Sequence, residues 1–414
     1  MGRLQNIFII KIMEDHQANK EIIHPHNRQY KPRYEVADIF RLYLSEYLKK
    51  HKLSLNQYKA VNAIMSCRTS MQGYHKYKCE ECGYEDIEYN SCRNRHCPKC
   101  QGAKRDKWVA DRLNELLPVY YYHAVFTLVH TLNIIALYNK EIFYDLFMKA
   151  SAKTLQEFAE DPKYLGAKIG FVGILHTWGQ SLSQHLHAHY IIPGGGITKD
   201  GRKWKNLPYR KDFLFPVKAM SKRMRNTFSK MLLDAYDKGK LIFPEEYSEL
   251  REPDKFKEYL DKAAWENWVC YVKKPFSGPE DVVKYIGRYT HRVAISNSRI
   301  IDISNGEVRF KYKDYRDESK TKIMKLSAEE FIRRFMLHIL PKGFQKIRYF
   351  GIFANGKKNK YLALARKLLN VTEEKIKKAV EYINDTINKL LTCPCCGRKL
   401  SIVEVRRPYK YAPG

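Results

Sequence analysis

The sequence predicts an α+β fold, and three observations predict it. From Val119 the text runs strand, helix, strand, strand: VYYYHAVFTLV, NKEIFYDLFMKASAKTLQEFAED, KIGFVGILHTW and HLHAHYIIP. That order makes a small sheet with an antiparallel hairpin and a flanking helix. A second hairpin follows, with Asn305-Gly306 between RIIDIS and EVRFKYKDY; the dipeptide tolerates the positive φ that a two-residue turn requires. Ahead of both lies a cysteine-rich segment that reads as a module of its own. The 414 residues allow two or three domains, at about 150 residues each.

Taken in order, residues 1–34 are polar, with His, Asn and Pro, and read as a flexible arm. Residues 35–118 hold a helix and the cysteine module. In VADIFRLYLSEYLKKH, Val36, Ile39, Phe40, Tyr43, Leu44, Tyr47 and Leu48 recur at helical spacing. A second helix is expected from about Asp106 to Leu117, stopped by Pro118. Residues 119–345 form the sheet-bearing domain, with a mixed basic stretch at about 199–265 read as an insertion or subdomain. The strand WVCYVKK follows, and then a helix start in which Ser277 and Gly278 precede Pro279, Glu280 and Asp281. After the Asn-Gly hairpin come a strand, KTKIMKL, and a helix, SAEEFIRRFMLHIL. Residues 346–414 read as a basic helical region carrying a cysteine cluster.

Lys plus Arg number 75 against 45 Asp plus Glu, a formal charge of +30. A surplus of that size points to a polyanionic partner. The chain carries 30 Tyr and 13% aromatic residues, and aromatic rings among cations suit the stacking of unpaired bases. Nucleic acid is therefore the expected partner. No apolar run approaches the roughly 18 residues of a membrane span, and no basic amphipathic helix with a Trp/Phe face suggests a membrane surface. The apolar run near the N-terminus is broken by Lys11, with no small-residue cleavage site after it, so no signal peptide is read and a cytoplasmic, nucleoid-associated protein is expected.

Ten cysteines are unevenly spread. Cys79-x2-Cys82 and Cys97-x2-Cys100 are two knuckles fourteen residues apart, and pairing them closes one tetrahedral zinc site. Cys67, His75, Cys92 and His96 make up the four ligands of a second, with no paired spacing behind it. Otherwise the two cysteines are small buried hydrophobes and the histidines contact DNA. Arg93, Arg95, Lys99, Lys104, Arg105 and Lys107 surround the module and suit phosphate contacts. Cys393-Pro-Cys-Cys396-Gly397 is half a knuckle with no second half downstream, read as free thiols or a remnant, or else as half of a zinc site shared with a partner chain.

His185, His187 and His189 alternate in one strand, so all three project from one face. Two imidazoles a pleat apart can hold one cation and leave positions open. If Trp178 pairs with His185 across GQSLSQ, His176 falls opposite His187 on the same face. His176 is the first choice of third ligand and His185 the second. Tyr285 and Tyr289, at i and i+4, share a helix face, with Arg288 and Arg292 as a neighbouring stripe.

These residues resemble a known family. Tyr285-Ile-Gly-Arg-Tyr289-Thr-His-Arg-Val-Ala-Ile-Ser is similar to the tyrosine signature of the two-tyrosine rolling-circle transposases of the insertion-sequence ninety-one family. His187-Ala-His189, followed by Pro193-Gly-Gly-Gly, resembles their His-hydrophobic-His motif, with alanine a small choice for the middle position. Ser91-Cys92-Arg-Asn-Arg-His96-Cys97-Pro-Lys-Cys100-Gln is similar to their zinc-binding domain. The resemblance runs from about Cys67 to Phe350. It implies a catalytic domain of central antiparallel sheet and flanking helices, and magnesium or manganese at the histidines. It also implies that Tyr285 and Tyr289 cut and rejoin single-stranded DNA through 5′-phosphotyrosine. Two other readings stand beside it: a plasmid replication initiator or relaxase, and a non-catalytic zinc-dependent DNA-binding protein.

Overall fold

The computed structural model describes residues 32–100, 115–207, 214–273, 293–315, 317–371 and 392–408. The expected helix near 106–117, the segment from Ser277 to Arg292 and the TEEKIKKAVEYINDTINKLL stretch lie wholly or mostly outside these residues, as does nearly all of the arm.

Two helices open the described chain. Helix α1 (Val36–Lys50) starts where the Asp38 carboxylate accepts the Glu35 N–H at 2.9 Å and ends on Lys49 and Lys50, each end matched to the helix dipole. Helix α2 (Leu55–Ser66) carries a reciprocal cap: Gln57 N–H donates to Ser54 Oγ, and Ser54 N–H donates to Gln57 Oε1. A hairpin, β1 (Tyr74–Lys78) and β2 (Glu85–Tyr89), follows.

The central sheet is built from β3 (Tyr121–Thr127), β4 (Gly170–Trp178), β5 (Gln184–Pro193), β8 (Val269–Lys273) and β12 (Ile347–Gly351). Their order is β12-β4-β5-β3-β8, every neighbouring pair antiparallel. The short helix α3 (Asn133–Tyr138) and the long α4 (Lys140–Glu160) link β3 to β4; β6 (Gly195–Ile197) and β7 (Trp204–Asn206) make a small ribbon after β5. Antiparallel strands show one face to a core and one to solvent, and here Phe126, Leu175, Leu186, Ala188 and Tyr190 face the core side.

Residues 199–265, the stretch read as an insertion, contribute to the main core. Helix α5 (Val217–Asp237) buries Met220, Met224, Phe228 and Leu232, a four-residue repeat, beside α4 under the sheet. The Phe228 ring meets Phe143 at 5.2 Å and Trp268 at 5.8 Å. Helix α6 (Pro253–Trp265) adds Phe256, Leu260 and Ala263 to the same core. The charged outer faces of both helices hid this stripe in the composition.

A second sheet, β11-β10-β9, is built from β9 (Ile300–Ser304), β10 (Glu307–Asp314) and β11 (Lys320–Ser327). Asn305 and Gly306 turn its first hairpin at φ of 51° and 74°, as expected. Helix α7 (Ala328–Leu337) leaves it and packs on α1, with Phe40 against Phe335 at 5.4 Å. Val36, Phe40, Leu44, Ile64, Cys67 and Cys97 thus share one core with Phe310, Phe331 and Phe335. The cysteine module and the second sheet are fused, although the sequence reading separated them at 118.

The C-terminal region is not helical throughout. β12 is an edge strand of the central sheet beside β4. Helix α8 (Lys358–Leu368) follows, and β13 (Ser401–Arg406) adds to β1 in a third sheet, β13-β1-β2. Gly73 sits at φ 71°, and a Cβ there would lie 2.1 Å from the Arg406 carbonyl oxygen, so only glycine lets the returning chain approach this closely.

Candidate active site

The hairpin of β4 and β5 assembles a histidine cluster. His176 pairs with His187, as expected; a register shift beyond it sets Trp178 against Gln184 rather than His185. His176, His187 and His189 stand on the face away from α4 and α5, and their candidate ligand atoms all lie within 4.8 Å of one another. His176 Nδ1 and His189 Nε2 are 3.1 Å apart. Adjacent ligands on one cation, each at about 2.1 Å, would be separated by about 3 Å, so the donor set fits a divalent ion. His187 Nδ1–H donates to the His185 carbonyl at 2.9 Å, so Nε2 is the nitrogen that could bind an ion. Trp178 stacks on the His176 ring at 4.7 Å and 22° and so fixes its plane.

His185 stays outside the cluster, despite sharing the alternation. Its ring centroid is 5.0 Å from that of His187 and 5.5 Å from that of His130, and burial pushes its pKa down, with His130 adding. His123 was missed. It lies on β3 with Nε2 2.8 Å from His189 Nδ1. Burial, then Lys273 and His187, pushes its pKa down to about 3, so it is neutral at pH 7. One histidine in an aromatic strand carries no local signal; only the order β4-β5-β3 brings it to the site.

The cysteines form two clusters, divided otherwise than expected. Cys67, Cys92, Cys97 and Cys100 come together, with Cys100 Sγ 3.4 Å from Cys67 Sγ and 3.5 Å from Cys92 Sγ. Cys79 and Cys82 instead meet Cys393 and Cys396. Sequence distance led to pairing the two upstream knuckles, but Cys67 and Cys92 close the site of Cys97 and Cys100. The downstream half-knuckle finds its other half 311 residues back. Neither expected histidine joins a cysteine cluster. His75 lies in β1 beside the Tyr77 ring. His96 accepts the Leu340 N–H at 3.4 Å, and burial pushes its pKa down to about 3. Thiolates on a zinc ion at about 2.3 Å would stand about 3.8 Å apart in a tetrahedron, close to the separations seen.

Comparison with known proteins places the chain in a family. Residues 170–360 match the family model described as "Putative transposase", and residues 39–128 match the "Transposase zinc-binding domain" of IS91 elements. "Putative transposase y4qJ" of Sinorhizobium fredii is 45% identical over 89% of this chain and 94% of its own length. The "Transposase for insertion sequence element IS801" of Pseudomonas savastanoi is 30% identical over 73% of this chain and 72% of its own. The chain belongs to the IS91-family transposases. No solved structure gives a significant match.

DNA is accordingly the transposase's partner, and two of its expected DNA contacts are engaged elsewhere. Arg95 donates to the carbonyls of Pro341 and Phe344, tying the cysteine module to the segment before β12. Lys99 pairs with Glu35 at 2.5 Å and reaches the Cys67 carbonyl. Arg93 is exposed. Tyr285, Tyr289, Arg288 and Arg292 lie outside the described residues. Along β8, Tyr271 opposes Val125, which opposes His189, so an exposed ring shares the histidine face. Among the described residues no helix is long and apolar enough to cross a membrane.

Proposed function

We propose that this transposase nicks and rejoins single-stranded DNA with Tyr285 and Tyr289 as nucleophiles, at a centre built on His176, His187 and His189. The observation that carries the reading is the three-histidine face of β4 and β5, whose nitrogens are spaced for one cation and whose surroundings include an exposed tyrosine. A divalent cation held there supplies charge withdrawal from the scissile phosphate. Three imidazoles favour manganese, or another transition ion, over magnesium.

The residues then divide the work. A tyrosine oxygen attacks phosphorus; the P–O3′ bond breaks; the 5′ phosphate stays on the tyrosine as an ester. The phenolic proton is balanced by the 3′ hydroxyl that leaves. The ester conserves the bond's free energy, so rejoining needs no nucleotide cofactor. Two tyrosines four positions apart in the sequence allow a second strand to be cut while the first end stays attached, the requirement of a rolling-circle route. Tyr271 offers a base a stacking surface beside the centre.

Incubation with single-stranded element ends and manganese, followed by denaturing electrophoresis, tests the reading. The wild-type protein should form a covalent adduct. Tyr285→Phe/Tyr289→Phe should form none and still bind DNA. Adducts in the double variant, or salt-reversible binding alone in the wild type, overturn it.

A further inference from the structure

We propose that Cys79, Cys82, Cys393 and Cys396 hold a structural zinc ion of their own, which clamps the end of the chain onto the N-terminal module. The zinc-binding domain match covers residues 39–128 and therefore only half of this ligand set.

The two halves are built alike. In Cys79-Glu-Glu-Cys82-Gly83-Tyr84, Gly83 N–H donates to the Cys79 carbonyl at 2.9 Å and Cys79 N–H to the Tyr84 carbonyl at 2.8 Å. In Cys393-Pro-Cys-Cys396-Gly397-Arg398, Gly397 N–H donates to the Cys393 carbonyl at 2.9 Å and Cys393 N–H to the Arg398 carbonyl at 2.6 Å. Gly83 and Gly397 take φ of 73° and 72°. Each turn thus presents two sulfurs on one side, and two such turns face each other as in a four-cysteine zinc ribbon. Cys79 Sγ lies 3.4 Å from Cys396 Sγ, and Cys82 Sγ 3.6 Å from Cys393 Sγ. These distances are far too long for a disulfide at about 2.05 Å and suit four thiolates on one ion.

The surroundings show that the tail is docked there. β13 pairs with β1 over its length, Tyr74 Oη–H donates to the Glu404 carboxylate at 2.6 Å, and Leu400 packs with Cys79, Cys393, Tyr77 and Tyr84. That contact is small: Ile402, Val403 and Val405 remain about half exposed. So thin a core needs a staple, and a metal is the usual one. Cys395 is exposed and outside the cluster, an internal control.

Purified full-length protein should contain two zinc equivalents per chain by elemental analysis. Cys393→Ser/Cys396→Ser should retain one, and Cys395→Ser two. Wild-type protein treated with N-ethylmaleimide and mapped by mass spectrometry gives a reading independent of any variant's folding. Cys395 should be modified, and Cys393 and Cys396 spared until a chelator is added. Limited proteolysis after chelation should then release the tail. One zinc in the wild type, unchanged content in the double variant, or Cys393 and Cys396 reacting as fast as Cys395 would each overturn the proposal.

Discussion

His123 Nε2 lies 2.8 Å from His189 Nδ1, and the two rings are within 8° of parallel. With a cation on His189 Nε2, His189 Nδ1 would carry the proton and donate to Nε2 of His123, which burial keeps neutral. Residues that orient a metal-binding histidine through its other nitrogen typically change affinity by about 10- to 100-fold. His123→Leu should therefore weaken manganese binding by about that factor in calorimetry, with zinc content unchanged. His123→Gln, which keeps an acceptor, should lose less. Equal affinity in all three proteins would make His123 a packing residue only.

Arg93 and Arg95 stand two residues apart and should behave oppositely. Arg93 is exposed, and its replacement by Ala should weaken single-strand binding and flatten the log–log salt dependence by about 0.7, the share of one phosphate contact. Arg95 is spent on the Pro341 and Phe344 carbonyls. Arg95→Ala should leave the salt slope alone and lower the melting temperature instead. A reduced slope in Arg95→Ala would return that residue to the DNA surface.

The local patterns were legible. Alternation in HLHAHYIIP and the Asn305-Gly306 turn placed β5 and the second sheet, and hairpin arithmetic put His176 opposite His187. Distant closures were not legible, because nothing in a Cys-x2-Cys pair says which other pair completes it. Cys393 and Cys396 are joined to Cys79 and Cys82 by strand addition of β13 to β1, a contact with no sequence periodicity. His123 was hidden for the same reason, since its role depends on sheet order. Charge alone does not reveal that Arg95 is bonded to the Pro341 and Phe344 carbonyls, or that Lys99 is paired with Glu35.

Phe228 tests whether 199–265 belongs to the core. It is fully buried between Phe143 and Trp268, and Phe→Ala at such sites costs about 3–5 kcal/mol. Phe228→Ala should lower the denaturant midpoint of the central sheet's unfolding, followed by tryptophan fluorescence. An insertion folding on its own would give a separate early transition and leave the main one in place.

His338 should make stability depend on pH. Its Nε2–H donates to the Leu182 carbonyl at 2.9 Å, and Thr177 Oγ1–H donates to its Nδ1 at 3.1 Å, so the neutral ring is fully bonded. Burial pushes its pKa down to about 4, with Lys140 adding and the Leu182 bond opposing. An unfolded histidine titrates near about 6.5. Between these values the unfolded chain binds more protons, so stability is complete above pH 6.5 and falls as pH drops toward 4, by about 1.4 kcal/mol per pH unit. From pH 7 to pH 5 this one group should cost on the order of 2 kcal/mol. His96 and His123 are depressed too, so the diagnostic quantity is a difference between proteins. His338→Gln keeps a donor for Leu182 and an acceptor for Thr177 but does not titrate. Its urea midpoint should be lower than wild type at pH 7, and the gap should narrow by pH 5. Parallel pH profiles for the two proteins would show that the His338 proton plays no part in acid destabilisation.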